Sequence, residues 1–209
     1  MKMVFLGPPG AGKGTLAGLA SSRMGLPHIS TGDLFRAAIK NGTDLGKKVK
    51  GILDEGKLVP DELTIALVRE RLASPDALKG WILDGFPRTI GQAQALESIG
   101  SLDWVINFDV EDAVILKRLT GRRICTGCGK IYHIVSMPPS VEGRCDACGA
   151  DLYTRADDRE ESIRTRLAAY RDQTAPLIDW YGNKGTLVTI DGTGDPEVVY
   201  TRFAEAVRD

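Results

Sequence analysis

The run VFLGPPGAGKGT at residues 4–15 constrains this chain more than any other stretch. A compact apolar run, Met3 to Leu6, closes on Gly7 and reads as a strand buried on both faces. After the glycines, KGTLAGLASSRM carries apolar residues at helical spacing and stops at Gly25. A glycine-rich turn between a buried strand and a helix start lets backbone N–H groups converge on an anion, and the helix dipole adds to the attraction. Lys13 is placed to reach the β- and γ-phosphates of a nucleotide, and a purely structural glycine turn is the plain alternative. Where the strict pattern has Ser or Thr directly after the lysine, this chain has Gly14, and Thr15 follows.

The same strand-to-glycine unit recurs. WILDG at 81–85 and WVINFDV at 104–110 read as further strands, and TLVTIDG at 186–192 as a last one. Helical stretches lie between them: TGDLFRAAIKNG with Thr31 as the capping residue, LGKKVKGILDEGK, DELTIALVRERLA and EDAVILKRLTGR. A long helix is expected from about Glu160 to Tyr181, and a final one after Asp195 as cap and Pro196 at its first position. Apolar strands alternating with helices predict an α/β fold, a parallel sheet covered on both faces.

Residues from about Arg122 to Arg159 break this pattern and predict a small β-type insertion. They hold all four cysteines of the chain: Cys125, Cys128, Cys145 and Cys148. Two C-x2-C pairs separated by residues 129–144 fall within the range of a tetrahedral zinc site, and Gly127, Gly129 and Gly149 allow the tight knuckle turns. Unpaired thiols and an iron centre are the alternatives. Four thiolates leave no open coordination position, so a zinc ion here is structural and holds together an insertion too small for a core of its own.

The totals limit the class. At 209 residues, with 27 basic against 28 acidic side chains, the chain has no basic excess that would mark a nucleic-acid surface. Its N-terminal apolar run is too short for a signal-peptide core, and nothing approaches the roughly 18 apolar residues of a membrane span. A cytoplasmic protein with no membrane and no nucleic-acid partner is expected, and there paired CxxC motifs favour metal over disulfide. A zinc-ribbon nucleic-acid module fused to an NTPase is the rival from another class. GKIYHIVSMPPSVEGR offers it only one tyrosine and little basic charge.

The loop spelling GxPGxGKGT resembles the adenylate kinases among the nucleoside-monophosphate kinases. STGDLFR at 30–36, EGKLVP at 55–60, LDGFPRT at 83–89 with Gln92, GRR at 121–123 and DGT at 191–193 follow in that family's order over nearly the whole chain. The resemblance implies a P-loop kinase fold on a five-stranded parallel sheet. Its core would comprise 1–29, 60–121 and 160–209, an AMP-binding helical segment 30–59, and a zinc-containing lid 122–159. It implies magnesium-dependent transfer of the ATP γ-phosphoryl group to AMP, giving two ADP, by a monomer whose lid closes over ATP and excludes water. Kinases acting on CMP, UMP or GMP share several of these blocks and are the nearer rivals; no NKxD-type motif suggests a GTPase.

Residue by residue, the resemblance implies ATP contacts from Gly10, Ala11, Gly12, Lys13, Gly14, Thr15, Arg118, Arg122, Ile131, Tyr132 and Gly194. It implies AMP contacts from Thr31, Arg36, Lys57, Leu58, Val59, Gly85, Phe86, Pro87, Arg88, Gln92, Arg155 and Arg166. Arg118 would stack on the ATP adenine, and the Gln92 amide suits an adenine edge. Lys13, Arg88, Arg122, Arg155 and Arg166 would stabilise the transferring phosphoryl group. Asp84, at a strand end, would organise magnesium from outside its direct ligands, with helix capping as the alternative role. Asp157 and Asp158 would orient the arginines, or else form a solvated charge run. Tyr132 and His133 would touch ATP or pack the lid. Gly91 stands where the family commonly has proline, which predicts a looser helix start.

Overall fold

The computed structural model describes residues 1–208. In chain order they form β1 (Lys2–Leu6), α1 (Lys13–Met24), β2 (His28–Ser30), α2 (Thr31–Lys40), α3 (Asp44–Asp54), α4 (Asp61–Leu72), β3 (Trp81–Asp84), α5 (Ile90–Glu97), β4 (Trp104–Asp109) and α6 (Asp112–Thr120). The insertion gives β5 (Arg122–Cys125), β6 (Ile131–His133) and β7 (Leu152–Tyr153), after which come α7 (Glu160–Ala169), α8 (Pro176–Gly182), β8 (Leu187–Asp191) and α9 (Pro196–Ala206). Among the described residues no helix is long and apolar enough to cross a membrane.

Five strands pair in parallel in the order β2-β3-β1-β4-β8. Strand alternation divides the core in two. Met3 and Phe5 of β1 face α1, α6, α7 and α9, whereas Val4 and Leu6 face α4, α5 and α8. The central strand is therefore apolar and buried from Met3 to Leu6, as a sheet covered on both sides requires. A smaller core of Phe35, Val49 and Val59 holds α2 and α3 together. Because β1 lies between β3 and β4, successive connections leave its carboxyl end on opposite sides, and a crevice opens there.

Several local expectations need correction. β2 has three residues and carried no periodic signal, yet it completes the sheet as an edge strand. Ser30, not Thr31, caps α2: its hydroxyl accepts from the Asp33 N–H (3.3 Å). The expected helix from Glu160 to Tyr181 is broken at Tyr170–Thr174 by a π-helical turn, which ends two residues before Pro176, a residue with no N–H to continue an α-helical ladder. Asp195 occupies the cap position of α9, but its side chain makes no capping bond. The start of α5 is not loose at Gly91, because Thr89 accepts from the Gln92 N–H (3.1 Å).

The insertion is a three-stranded antiparallel sheet, β6-β5-β7, apart from the main one. Its small interior consists of Cys125, Tyr132 and Cys145, with Ala150 and Leu152 against them. That is far less apolar surface than a free-standing domain needs.

Candidate active site

The parallel strands deliver their carboxyl ends to one cleft of about 300 Å³, walled by the loop after β1, the end of β3, α2 and the insertion. The loop owes its shape to Gly10 (φ 83°) and Gly12 (φ 97°), both in the left-handed region. A Cβ on Gly10 would come within 2.8 Å of the Leu119 side chain, so α6 packs directly on the loop. No side chain caps the amino end of α1, and its N–H groups stay available to an anion. Lys13 Nζ donates to the carbonyls of Gly7 (2.7 Å) and Pro8 (2.8 Å). Burial pushes its pKa down to about 8, with Asp84 opposing that shift and Arg88, Arg166 and Arg122 adding to it.

Asp84 lies opposite. A Cβ on Gly14 would sit 3.4 Å from Asp84 Oδ2, so the glycine in place of the usual hydroxyl residue lets the carboxylate approach the loop. Burial disfavours the charged form, but His28, Lys13 and Arg88 outweigh it and hold Asp84 below the usual carboxylate range. His28 Nε2 is 3.6 Å from Asp84 Oδ2.

The cleft brings Arg36, Arg88, Arg122, Arg155 and Arg166 together with Lys13. Arg88 Nε donates to the Gly85 carbonyl (2.9 Å), and Thr174 Oγ1 donates to the Arg88 carbonyl (2.9 Å). Asp158, whose side chain is 0% exposed, accepts from both Arg122 and Arg166. Asp157 Oδ2 pairs with Arg166 (3.1 Å), so neither aspartate is part of a solvated run. Arg36 pairs with Asp33 (2.6 Å), and Arg155 reaches the same carboxylate at 3.8 Å. Burial holds both Arg88 and Arg155 down at about 10, and Arg155 Nε has no partner. Cations outnumber carboxylates throughout, which in a desolvated cleft favours anionic ligands.

Other candidates take different positions. Arg118 donates to the carbonyls of Ala11 (3.1 Å) and Gly192 (3.0 Å), bridging the first loop to the one after β8. Thr15, Ile131 and Gly194 line the cleft with it. Tyr132 also lines it, but its hydroxyl points into the insertion, against Cys145 Sγ (3.4 Å) and accepting from the Asp146 N–H (2.8 Å). His133 is a packing residue: Nδ1 accepts from the Val135 and Ser136 N–H groups, and Nε2 faces the Lys117 carbonyl (3.1 Å). Thr31 donates to the Gly85 carbonyl (2.8 Å). Thr31, Lys57, Leu58, Val59, Gly85, Arg88 and Gln92 line a smaller adjoining recess. Pro87 borders the main cleft, whereas the Phe86 side chain is buried in the core beneath it. Arg123 is spent on the Thr120 and Arg122 carbonyls.

Sequence reasoning missed His28, Asp61, Thr89 and Thr174, all of which support site residues through hydrogen bonds or charge. Asp61 had one available signal, its place directly after the EGKLVP block.

The four cysteine sulfurs lie within 4.8 Å of one another. A tetrahedron of Zn–S bonds of about 2.3 Å separates its sulfurs by about 3.8 Å, and the Cys128–Cys145 distance is 3.6 Å. The N–H groups of Gly127 (3.3 Å) and Cys128 (3.4 Å) donate to Cys125 Sγ. The Tyr132 hydroxyl pulls the Cys145 thiol down to about 6, towards the thiolate a metal requires. The donor set fits zinc.

The adenylate kinase family profile matches residues 5–186. The chain belongs to the adenylate kinase family. It is 59% identical to the adenylate kinase of Treponema denticola over 97% of both chains. It is 54% identical to that of Desulfitobacterium hafniense, covering 99% of this chain and 98% of the relative. It is 51% identical to that of Archaeoglobus fulgidus, covering 96% and 94%.

Proposed function

We propose that the protein is an ATP:AMP phosphotransferase, moving the γ-phosphoryl group of ATP to AMP and reversibly giving two ADP. One observation carries this reading: two anion sites share a single set of cations. The glycine loop and Lys13 would form the first and Arg36 and Arg88 the second, and Arg122, Arg155 and Arg166 line the same cleft. A phosphoryl group in flight spreads negative charge over its oxygens, and fixed guanidiniums meet that charge without reorganising. An AMP phosphate is already an anion and needs no general base, and among the cleft's carboxylates Asp84, Asp157 and Asp158 are engaged with cations or His28.

ATP would lie along the loop, its base beside Arg118 and Gly194. Both outer N–H groups of Arg118 already serve carbonyls, leaving its flat face for stacking. AMP would take the recess under α2 and α3, its phosphate on Arg36 and Arg88 and its base toward Gln92. Magnesium would be held near Asp84 and Thr15 and would neutralise charge on the ATP phosphates. Residues 122–159 would act as a lid over ATP, braced by zinc on Cys125, Cys128, Cys145 and Cys148, on a core of 1–29, 60–121 and 160–209 with the AMP segment at 30–59. We place this work in the cytoplasm, in a monomer without nucleic-acid or membrane partners.

Replacing Arg88 with Ala should lower kcat/KM for AMP by about 10²–10³-fold. Initial rates at varied AMP measure this, and unaltered turnover removes the acceptor-site assignment. ATP binding should draw a proton onto Lys13, because an anion favours the ammonium that burial disfavours. With a pKa of about 8, uptake per site should rise from about 0.1 at pH 7 to about 0.8 at pH 8.6. Calorimetry in buffers of different ionisation enthalpy reads this number; a flat profile contradicts it. Changing Cys125 to Ser should release zinc and cost about 3 kcal/mol, lowering the melting temperature by about 6–12 °C. An unchanged melting curve counts against structural zinc.

A further inference from the structure

A glutamine amide has nearly the same shape either way round, yet its two orientations read different bases. Adenine presents an N–H at its 6-amino group and an acceptor at N1, whereas a 6-keto purine presents an acceptor at O6 and an N–H at N1. We propose that Asp61 is the positioning residue that decides this choice, locking the Gln92 amide in the adenine-reading orientation so that 6-keto purine monophosphates are refused. The inference rests on the reading of Gln92 as the residue that meets the AMP base.

The lock is a closed set of hydrogen bonds. Gln92 Nε2 donates to Asp61 Oδ1 (2.7 Å), and the Arg88 N–H donates to Gln92 Oε1 (2.7 Å). An ionised carboxylate only accepts and a backbone N–H only donates, so the nitrogen must face Asp61 and the oxygen must face Arg88. Turning the amide over would set oxygen against carboxylate and NH2 against N–H, replacing two hydrogen bonds with two repulsions. Gln92 is 2% exposed, so water cannot take over the orphaned groups.

The partners are themselves fixed. Asp61 is the first residue of α4, and its Oδ2 takes the Thr89 hydroxyl (2.6 Å). Thr89 also accepts the Gln92 N–H, and Thr174 holds the Arg88 carbonyl. A Cβ on Gly91 would come within 3.1 Å of Asp61 Oδ2, so the glycine leaves α5 room beside the carboxylate. After these bonds the amide keeps one N–H on Nε2 and one lone pair on Oε1. Gln92 lines the recess with Thr31, Val59 and Gly85, and that remaining pair of groups matches N1 and the 6-amino group of adenine. Both are mismatched to a 6-keto purine.

The test compares kcat/KM for AMP, IMP and purine ribonucleoside 5′-monophosphate, which has no group at position 6, in the wild type, Asp61→Asn and Gln92→Leu. In the wild type the 6-unsubstituted nucleotide should exceed IMP by about tenfold or more, since it loses one contact without presenting two wrong ones. An asparagine amide can donate or accept, so Asp61→Asn should lower the AMP-over-IMP ratio by about tenfold, through KM. A parallel loss for both nucleotides, with the ratio intact, means Asp61 is merely structural and overturns the proposal. A ratio preserved in Gln92→Leu sinks the reading of Gln92 as the base contact, and the proposal with it. A ratio lost in Gln92→Leu but kept in Asp61→Asn sinks the proposal alone. Should Asp61→Asn fail to fold, equal wild-type use of IMP and the 6-unsubstituted nucleotide still overturns it.

Discussion

Asp158 is buried between two guanidiniums that enter the cleft from opposite ends of the insertion. Arg122 opens β5, where the chain leaves the main domain, and Arg166 sits on α7, just after it returns. One carboxylate thus ties both crossings of the insertion to the core. It also holds two cations at a spacing they would not keep alone, because like charges repel strongly where water is excluded. Removing it would leave Arg122 without a carboxylate partner and Arg166 with Asp157 alone, a cost of about 3–5 kcal/mol. Asp157, Asp33 and Asp84 repeat the arrangement around the cleft, each opposing some of the positive charge and none neutralising all of it.

The remaining imbalance links fold to function. A parallel sheet gathers its strand ends on one side, so the glycine loop, Asp84 and Arg88 arrive together without any long-range design beyond strand order. Burial disfavours charge in the cleft and pushes the Lys13 pKa down, and the neighbouring Arg88, Arg166 and Arg122 push it further. In the proposed reaction, two phosphate-bearing ligands would relieve that cost at the point where their phosphates must meet. Charge stabilisation and positioning are then the same arrangement of atoms.

Much of this was legible in the sequence because the relevant signals are local. The apolar run to Gly7 and the helix to Gly25 are contiguous, so loop and strand were readable together. The cysteine spacing likewise brought four sulfurs into one cluster. What escaped depends on tertiary contact. β2 is too short to show a period and becomes a strand only by pairing with β3. The π-helical turn at Tyr170–Thr174 lies in a stretch with helical composition throughout, and its use, aiming Thr174 at the Arg88 carbonyl, cannot be read locally. Asp61 and Gln92 are 31 positions apart. For His133 the sequence left ligand contact and lid packing both open, and only the tertiary contacts decide, with both ring nitrogens facing backbone groups.

The central claim is that one cationic cleft serves ATP and AMP together. Its most direct test is phosphoryl transfer from Mg·ATP to AMP, GMP, CMP and UMP, measured in parallel on one sample with its zinc content quantified. The account predicts ADP formed with AMP and one zinc per chain, with the other three acceptors far behind. Transfer to none of the four by zinc-loaded protein, or equal transfer to all, would contradict it.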